Sequence, residues 1–94
     1  MALFVVSYDL RKKKNYQPLW DEMDRLGGHK PLESVYFLNV NSKDAATLIA
    51  HLRKFIDDDD QVIAVEFDKR PGTLRAKSGT KEWLDKYFQE VEDS

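Results

Sequence analysis

Residues Leu3 to Tyr8 constrain this chain most. Leu-Phe-Val-Val-Ser-Tyr is an extended, β-branched run in which Leu3 and Val5 point one way and Phe4, Val6 and Tyr8 the other. A strand that is apolar on both faces belongs inside a sheet with both sides covered. The run stops at Asp9, and a cationic cluster, Arg11, Lys12, Lys13 and Lys14, follows at once. A buried strand that delivers one acid to its end sets a metal ligand or general base on a rigid element. The simpler alternative is that Asp9 caps the strand or opens a turn.

The rest of the chain supplies partners for that strand. Asn15 is a candidate helix cap, Pro18 suits a first helical turn, and Tyr16, Leu19, Trp20, Met23 and Leu26 recur on one helical face. Gly27-Gly28 ends that helix, with one glycine expected in the left-handed conformation. In Val35 to Val40, Val35, Phe37 and Asn39 alternate with Tyr36, Leu38 and Val40, while Pro31 makes the preceding residues an edge or a bent approach. Asn41-Ser42 reads as a cap with Asp44 in the first turn of a second helix. Ala45, Leu48, Ile49, Leu52, Phe55 and Ile56 form its stripe, and it stops in the acidic run Asp57 to Asp60. Gln61 to Phe67 reads as a strand, with Ile63, Val65 and Phe67 opposite Val62 and Ala64. Asp68 to Gly79 reads as a mobile basic loop or a short extra strand. Thr80 then caps a terminal helix bearing Trp83, Leu84, Tyr87, Phe88 and Val91.

This order predicts an α+β fold, a ferredoxin-like βαββαβ sandwich with an extra C-terminal helix. We read one domain: a core over 1–68, a basic loop or short strand over 69–79, and a helix over 80–94 packed on that core. The helices of the core lie on one side of an antiparallel sheet, so the other side has to be covered by the terminal helix, by a second protomer, or by both.

Composition narrows the function. At 94 residues the chain holds a single small core, and a domain of this size often gains stability by pairing with its own copy. It has no cysteine, which excludes disulfides, thiolate metal sites and a cysteine nucleophile. Nothing resembles a signal peptide and no run is long enough to cross a bilayer, so a cytoplasmic protein without a membrane partner is expected. The net charge is −2, but charge is segregated: Lys69 to Lys81 carries five cations and no acid. Arg11, Lys12, Lys13, Lys14, Arg70, Arg75 and Lys77 can together track a phosphate backbone without reading bases.

Asp9 is the candidate catalytic and metal-binding residue. One carboxylate holds Mg²⁺ poorly, and a two-fold dimer would bring two copies of Asp9 together across its axis. Such a pair suits Mg²⁺ or Mn²⁺ and attack of water on a phosphodiester, with Tyr8 or Ser7 positioning the phosphate. Asp57 to Asp60 lacks the glycine and distal glutamate of a calcium loop and reads as a solvated turn. His51 falls off the apolar stripe of its helix and reads as a surface residue. His29 reads as a loop hydrogen-bonder or a substrate contact, and Trp20 and Trp83 as core.

Three segments carry a family resemblance. Val5-Val6-Ser7-Tyr8-Asp9-Leu10 resembles the opening strand of the CRISPR-associated Cas2 proteins. Leu32-Glu33-Ser34-Val35-Tyr36-Phe37 is similar to their Ser-Val-aromatic strand, and Asp58 to Val65 resembles their acidic turn and last core strand. The resemblance spans Leu3 to Phe67, and each motif alone is short. It implies a ferredoxin-like homodimer described as a metal-dependent endoribonuclease or deoxyribonuclease, or as a scaffold for the spacer-integrating nuclease. The related VapD-type toxins share the fold and are ribonucleases. By the resemblance Asp9 is the metal-binding aspartate, Ser34 the signature serine, and Tyr8, Ser34 and Tyr36 lie at the dimer interface. The chain departs from the pattern at Leu32-Glu33, where a Val-Gln pair is usual. It also carries a basic loop and the Trp83-Leu84 helix in place of a short strand that pairs with the partner subunit, which fits a stand-alone relative. The expected function is a nucleic-acid-binding homodimer with Mg²⁺-dependent endonuclease activity. The alternatives are a non-catalytic adaptor or inhibitor that docks another protein on the same scaffold, and a regulatory or structural dimer without nucleic-acid affinity.

Overall fold

A computed structural model of the chain describes residues 1–9 and 16–88. Four strands, β1 (Ala2–Asp9), β2 (His29–Leu32), β3 (Val35–Val40) and β4 (Gln61–Phe67), form one sheet in the order β2-β3-β1-β4. Every neighbouring pair is antiparallel. Helix α1 (Gln17–Arg25) joins β1 to β2, and α2 (Ala45–Leu52) with a 3₁₀ turn over Arg53–Phe55 joins β3 to β4. Each helical connection spans one intervening strand, which is the ferredoxin-like arrangement. The doubly apolar β1 is interior as expected: Val5 faces Phe37 on one side and Val65 on the other.

The helical side of the sheet closes over its central strands, with Val62 and Ala64 of the edge strand β4 half-buried. Phe4, Val6 and Leu38 are fully buried against Leu19, Met23, Leu48 and Leu52 from α1 and α2. Burying one such side chain stabilises the fold by roughly 1.5–3 kcal/mol. Pro18 sits in the first turn of α1 as the sequence indicates. Gly27 ends that helix at φ 81°, where a side chain would be strained. Gly28 is demanded by space instead. A Cβ there would stand 2.5 Å from Leu38 Cδ2 and 2.9 Å from the carbonyl oxygens of Met23 and Phe37. Pro31 lies on edge strand β2, where the register with β3 shifts.

Two caps differ from expectation. Asp44, not Asn41-Ser42, caps α2: its side chain accepts from the Thr47 amide at 2.8 Å, while Ser42 Oγ donates to the Asp44 carbonyl at 3.0 Å. Gly79, at φ 93°, occupies the cap position of α3 (Thr80–Asp85), and Thr80 is buried, its hydroxyl donating to the Lys77 carbonyl. At α2 the Ser42 hydroxyl meets the carbonyl of the cap residue itself, at α3 the Thr80 hydroxyl meets one in the approach segment, and in both the cap moves by a residue or more. The second helix also ends earlier than its apolar stripe. Phe55 and Ile56 still pack on the core from the 3₁₀ turn and beyond it. The acidic run then turns back, the Asp57 amide donating to Asp60 Oδ2 and the Asp60 amide to the Asp57 carbonyl. Asn15 and Val91 lie outside the described residues.

The reverse side of the sheet closes only in part. Residues 68–79 contain no strand and cross toward β2, where the Lys77 amide donates to the Pro31 carbonyl at 2.8 Å. Helix α3 then lies over Leu3, Val5, Phe37 and Phe67, with Trp83 and Leu84 buried and Phe88 alongside. The Trp83 indole stacks on Phe37 with centroids 5.8 Å apart and donates to the Gly27 carbonyl at 3.0 Å. Nearer Asp9 the same side stays open, with Ile63 60% and Val65 51% exposed. Among the described residues no helix is long and apolar enough to cross a membrane.

Candidate metal and nucleic-acid site at the end of the first strand

Asp9 is the exposed last residue of β1, directly opposite Gln61 of β4. Strand alternation puts it on the same side as Leu3, Val5 and Ser7, at the open end of the reverse face. It shares a shallow depression of about 200 Å³ with Ser7, Tyr8, Gln61, Val62 and Ile63. The depression offers one carboxylate together with the neutral oxygens of Ser7 and Gln61. Mg²⁺ and Mn²⁺ favour several oxygen ligands with more than one anionic contact. Among the described residues no group of three or more His, Cys, Asp or Glu could hold a metal ion. The described residues of one chain therefore do not fit a complete metal site.

The two tyrosines that the resemblance places at an interface, Tyr8 and Tyr36, turn the other way. Tyr8 is buried on the helical side; its hydroxyl accepts from Trp20 Nε1 at 2.8 Å and donates to the Glu33 carbonyl at 2.9 Å. Burial pushes that hydroxyl up to about 12, so it stays protonated. Tyr36 is buried beside it and donates to Asp24 Oδ1 at 3.1 Å, and burial raises its pKa well above the ordinary value. Neither ring reaches the reverse face, and the Tyr8 hydroxyl is not free to position a phosphate. They act behind the site: Tyr8 ties α1 to the β2–β3 turn. Ser34 sits exposed in that turn, and its carbonyl accepts from the Tyr8 amide at 3.1 Å, which fixes the turn next to the end of β1.

The expected phosphate-tracking cations divide into three sets. Arg11, Lys12, Lys13 and Lys14 lie outside the described residues. Arg70 pairs with Asp85 at 2.9 Å and donates to the Phe88 carbonyl at 3.2 Å, fastening the crossing segment to α3. Lys77 pairs with Glu33 at 2.9 Å, which holds the Glu33 carboxyl below its ordinary value. Arg75 is exposed and adopts φ 55°, a left-handed backbone uncommon for a residue with a side chain.

One polar cluster was missed in the sequence. Glu22 is buried; it takes Arg25 through both carboxylate oxygens at 2.8 and 2.6 Å and His51 at 2.6 Å. The hydrogen bond from Arg25, with a second from His51, holds its carboxyl at about 2. His51 is thus a tie between α2 and α1 rather than a free surface residue. The signal was present: Glu22 falls between Leu19, Met23 and Leu26 on the buried stripe of α1, where an acid needs a cationic partner. His29 bonds Thr80 Oγ1 at 2.7 Å. Because Thr80 gives its own proton to the Lys77 carbonyl, the imidazole is assigned as the donor.

No solved structure matches the chain at a significant level. The family model described as CRISPR associated protein Cas2 matches residues 1–71, from β1 through β4 to the start of the crossing segment. That match covers most of the chain and includes every strand, and its fold is the ferredoxin-like one described above: the chain belongs to the CRISPR-associated Cas2 family.

Proposed function

We propose that two copies of this chain pair through the reverse face of the sheet, around its open end, and bind nucleic acid there. In this reading the two Asp9 carboxylates form the centre of a metal-dependent endonuclease. The observation that carries it is the position of Asp9, on the rigid end of the central strand and at the edge of an uncovered apolar patch. Members of the family are generally endoribonucleases and usually dimers. Two Asp9 carboxylates would supply the second anionic contact that one chain lacks. A bound Mg²⁺ or Mn²⁺ would contribute charge stabilisation at the scissile phosphate. The chain's own part is to hold each carboxylate on a strand that hydrogen-bonds on both sides, with Ser7 and Gln61 as neighbouring polar groups.

The test is cleavage of RNA and DNA by the wild type and by Asp9→Asn with Mg²⁺, with Mn²⁺ and with chelator. The reading expects wild-type cleavage that chelator abolishes and that Asp9→Asn loses, with the dimer intact. Equal cleavage by both proteins contradicts it. The second reading, a non-catalytic adaptor, draws on the pairing of Arg70 with Asp85 and of Lys77 with Glu33. Those pairs leave less free positive charge for a phosphate backbone than the sequence suggests. It expects no cleavage by either protein under any of these conditions.

A further inference from the structure

The reverse face carries two claims on the same surface. Helix α3 occupies the end formed by Leu3, Phe67 and the middle pair Val5 and Phe37. At the other end Asp9 and Ile63 are exposed and Val65 at the boundary is 51% exposed, while Ser7 is half-buried and Val35, also half-buried, lines a depression with Pro71, Leu74 and Ala76 of the crossing segment. The open half of a four-stranded face measures about 19 Å by 12 Å, on the order of 230 Å², from ordinary strand spacing and rise. A stable protein pair needs about 800 Å² from each partner. Even allowing for side-chain relief, the uncovered half is too small to hold a second copy alone. The whole face would come much nearer.

We infer that α3 is an intramolecular cover that competes with a second copy of the chain for the reverse face, so that pairing is coupled to release of α3. The inference rests on the homodimer reading given above. The means of attachment suit a part that detaches as a unit. Residues 72–88 lie beyond the residues that the family model matches, and all four strands of the sheet precede them. Helix α3 has six residues, is capped by a glycine with φ 93°, and follows a segment that contains Pro71-Gly72. A short helix outside the main core opens at lower free energy than the core strands and helices. Among the described residues its polar fastenings include Thr80 to His29, the Trp83 indole to the Gly27 carbonyl, Arg70 to Asp85 and to the Phe88 carbonyl, and Lys77 to Pro31 and Glu33. What α3 buries, Phe37 above all, is what a second sheet would bury in its place.

Two measurements on the full chain test this. Amide exchange is followed for residues 83, 84 and 86–88 in the wild type from low to high protein concentration, with Ile63→Asp as a monomeric reference. The amides of Trp83, Lys86, Tyr87 and Phe88 are hydrogen-bonded within this turn and helix and report its closure. The inference expects protection to fall at least tenfold as the dimer forms, while the reference is unchanged. Sedimentation equilibrium of Trp83→Ala should show a dimer dissociation constant at least tenfold lower than that of the wild type. A wild-type dimer whose α3 amides stay as protected as in the monomer overturns the cover and leaves the homodimer standing. A wild type that remains monomeric at every concentration overturns both. If Trp83→Ala fails to fold, the exchange measurement decides.

Discussion

The two sides of one sheet have opposite characters, although the same strands build both. Facing α1 and α2, Phe4, Val6 and Leu38 are fully buried, and even the tyrosine hydroxyls are satisfied inside. On the reverse side, one residue along each strand, Ile63 and Val65 are more than half exposed, and the cover is a short helix held at its rim. The helical side therefore specifies the fold, because its central positions on β1 and β3 are filled by the chain itself. The reverse side holds apolar capacity that the described residues of one chain do not use up, and the one acid at the end of β1 opens onto it. In the proposed function, structure and function divide between the two sides of a single strand.

Breaking the closed side should cost most. Phe4→Ala should destabilise the domain by about 3–5 kcal/mol in urea unfolding, whereas Ile63→Thr on the open side should stay within about 0.5 kcal/mol. Similar costs at the two positions would erase the contrast. A smaller loss, roughly 1–3 kcal/mol, is expected for Gly28→Ala, since the new methyl meets two backbone oxygens and Leu38 at less than contact distance. Wild-type stability there would mean that the α1–β2 turn gives way more readily than its packing indicates.

A finer test concerns the polar tie under the closed side. The Glu22 carboxyl is held at about 2 against an ordinary 4.5, first by the hydrogen bond from Arg25. A carboxylate lowered on folding stabilises the native state at pH above its unfolded value, and that contribution drains away as pH falls from about 4.5 toward 2. Glu22→Gln should be less stable than wild type by about 1–2 kcal/mol at pH 7, and the gap should close across that acid window. A gap independent of pH would show that Glu22 acts by packing alone.

Much of this arrangement can be read in the chain before any coordinates. The alternation in Leu3 to Tyr8 announces a central strand, and Pro31 announces an edge. The stripe from Leu19 to Leu26 announces the helix that covers one side. What escapes is polar and local. Whether Asp44 or Ser42 caps α2 depends on which side chain reaches the Thr47 amide, a matter of a single hydrogen bond. The Glu22–His51 tie joins two helices 29 residues apart, and periodicity does not report on pairs so distant. The inward turn of Tyr8 is encoded in its alternation with Ser7, whereas a family motif names the residue without its side of the strand. The path of residues 68–79 is set by one backbone contact at Pro31 and by ion pairs of Arg70 and Lys77, which no local pattern encodes.

Sedimentation equilibrium of the wild type beside Ile63→Asp tests most directly whether the open end of the reverse face joins two copies. The account predicts a wild-type dimer at micromolar concentration and a folded, monomeric variant. A dimer that the buried charge leaves undisturbed, or a wild type that sediments as a single chain throughout, would contradict it.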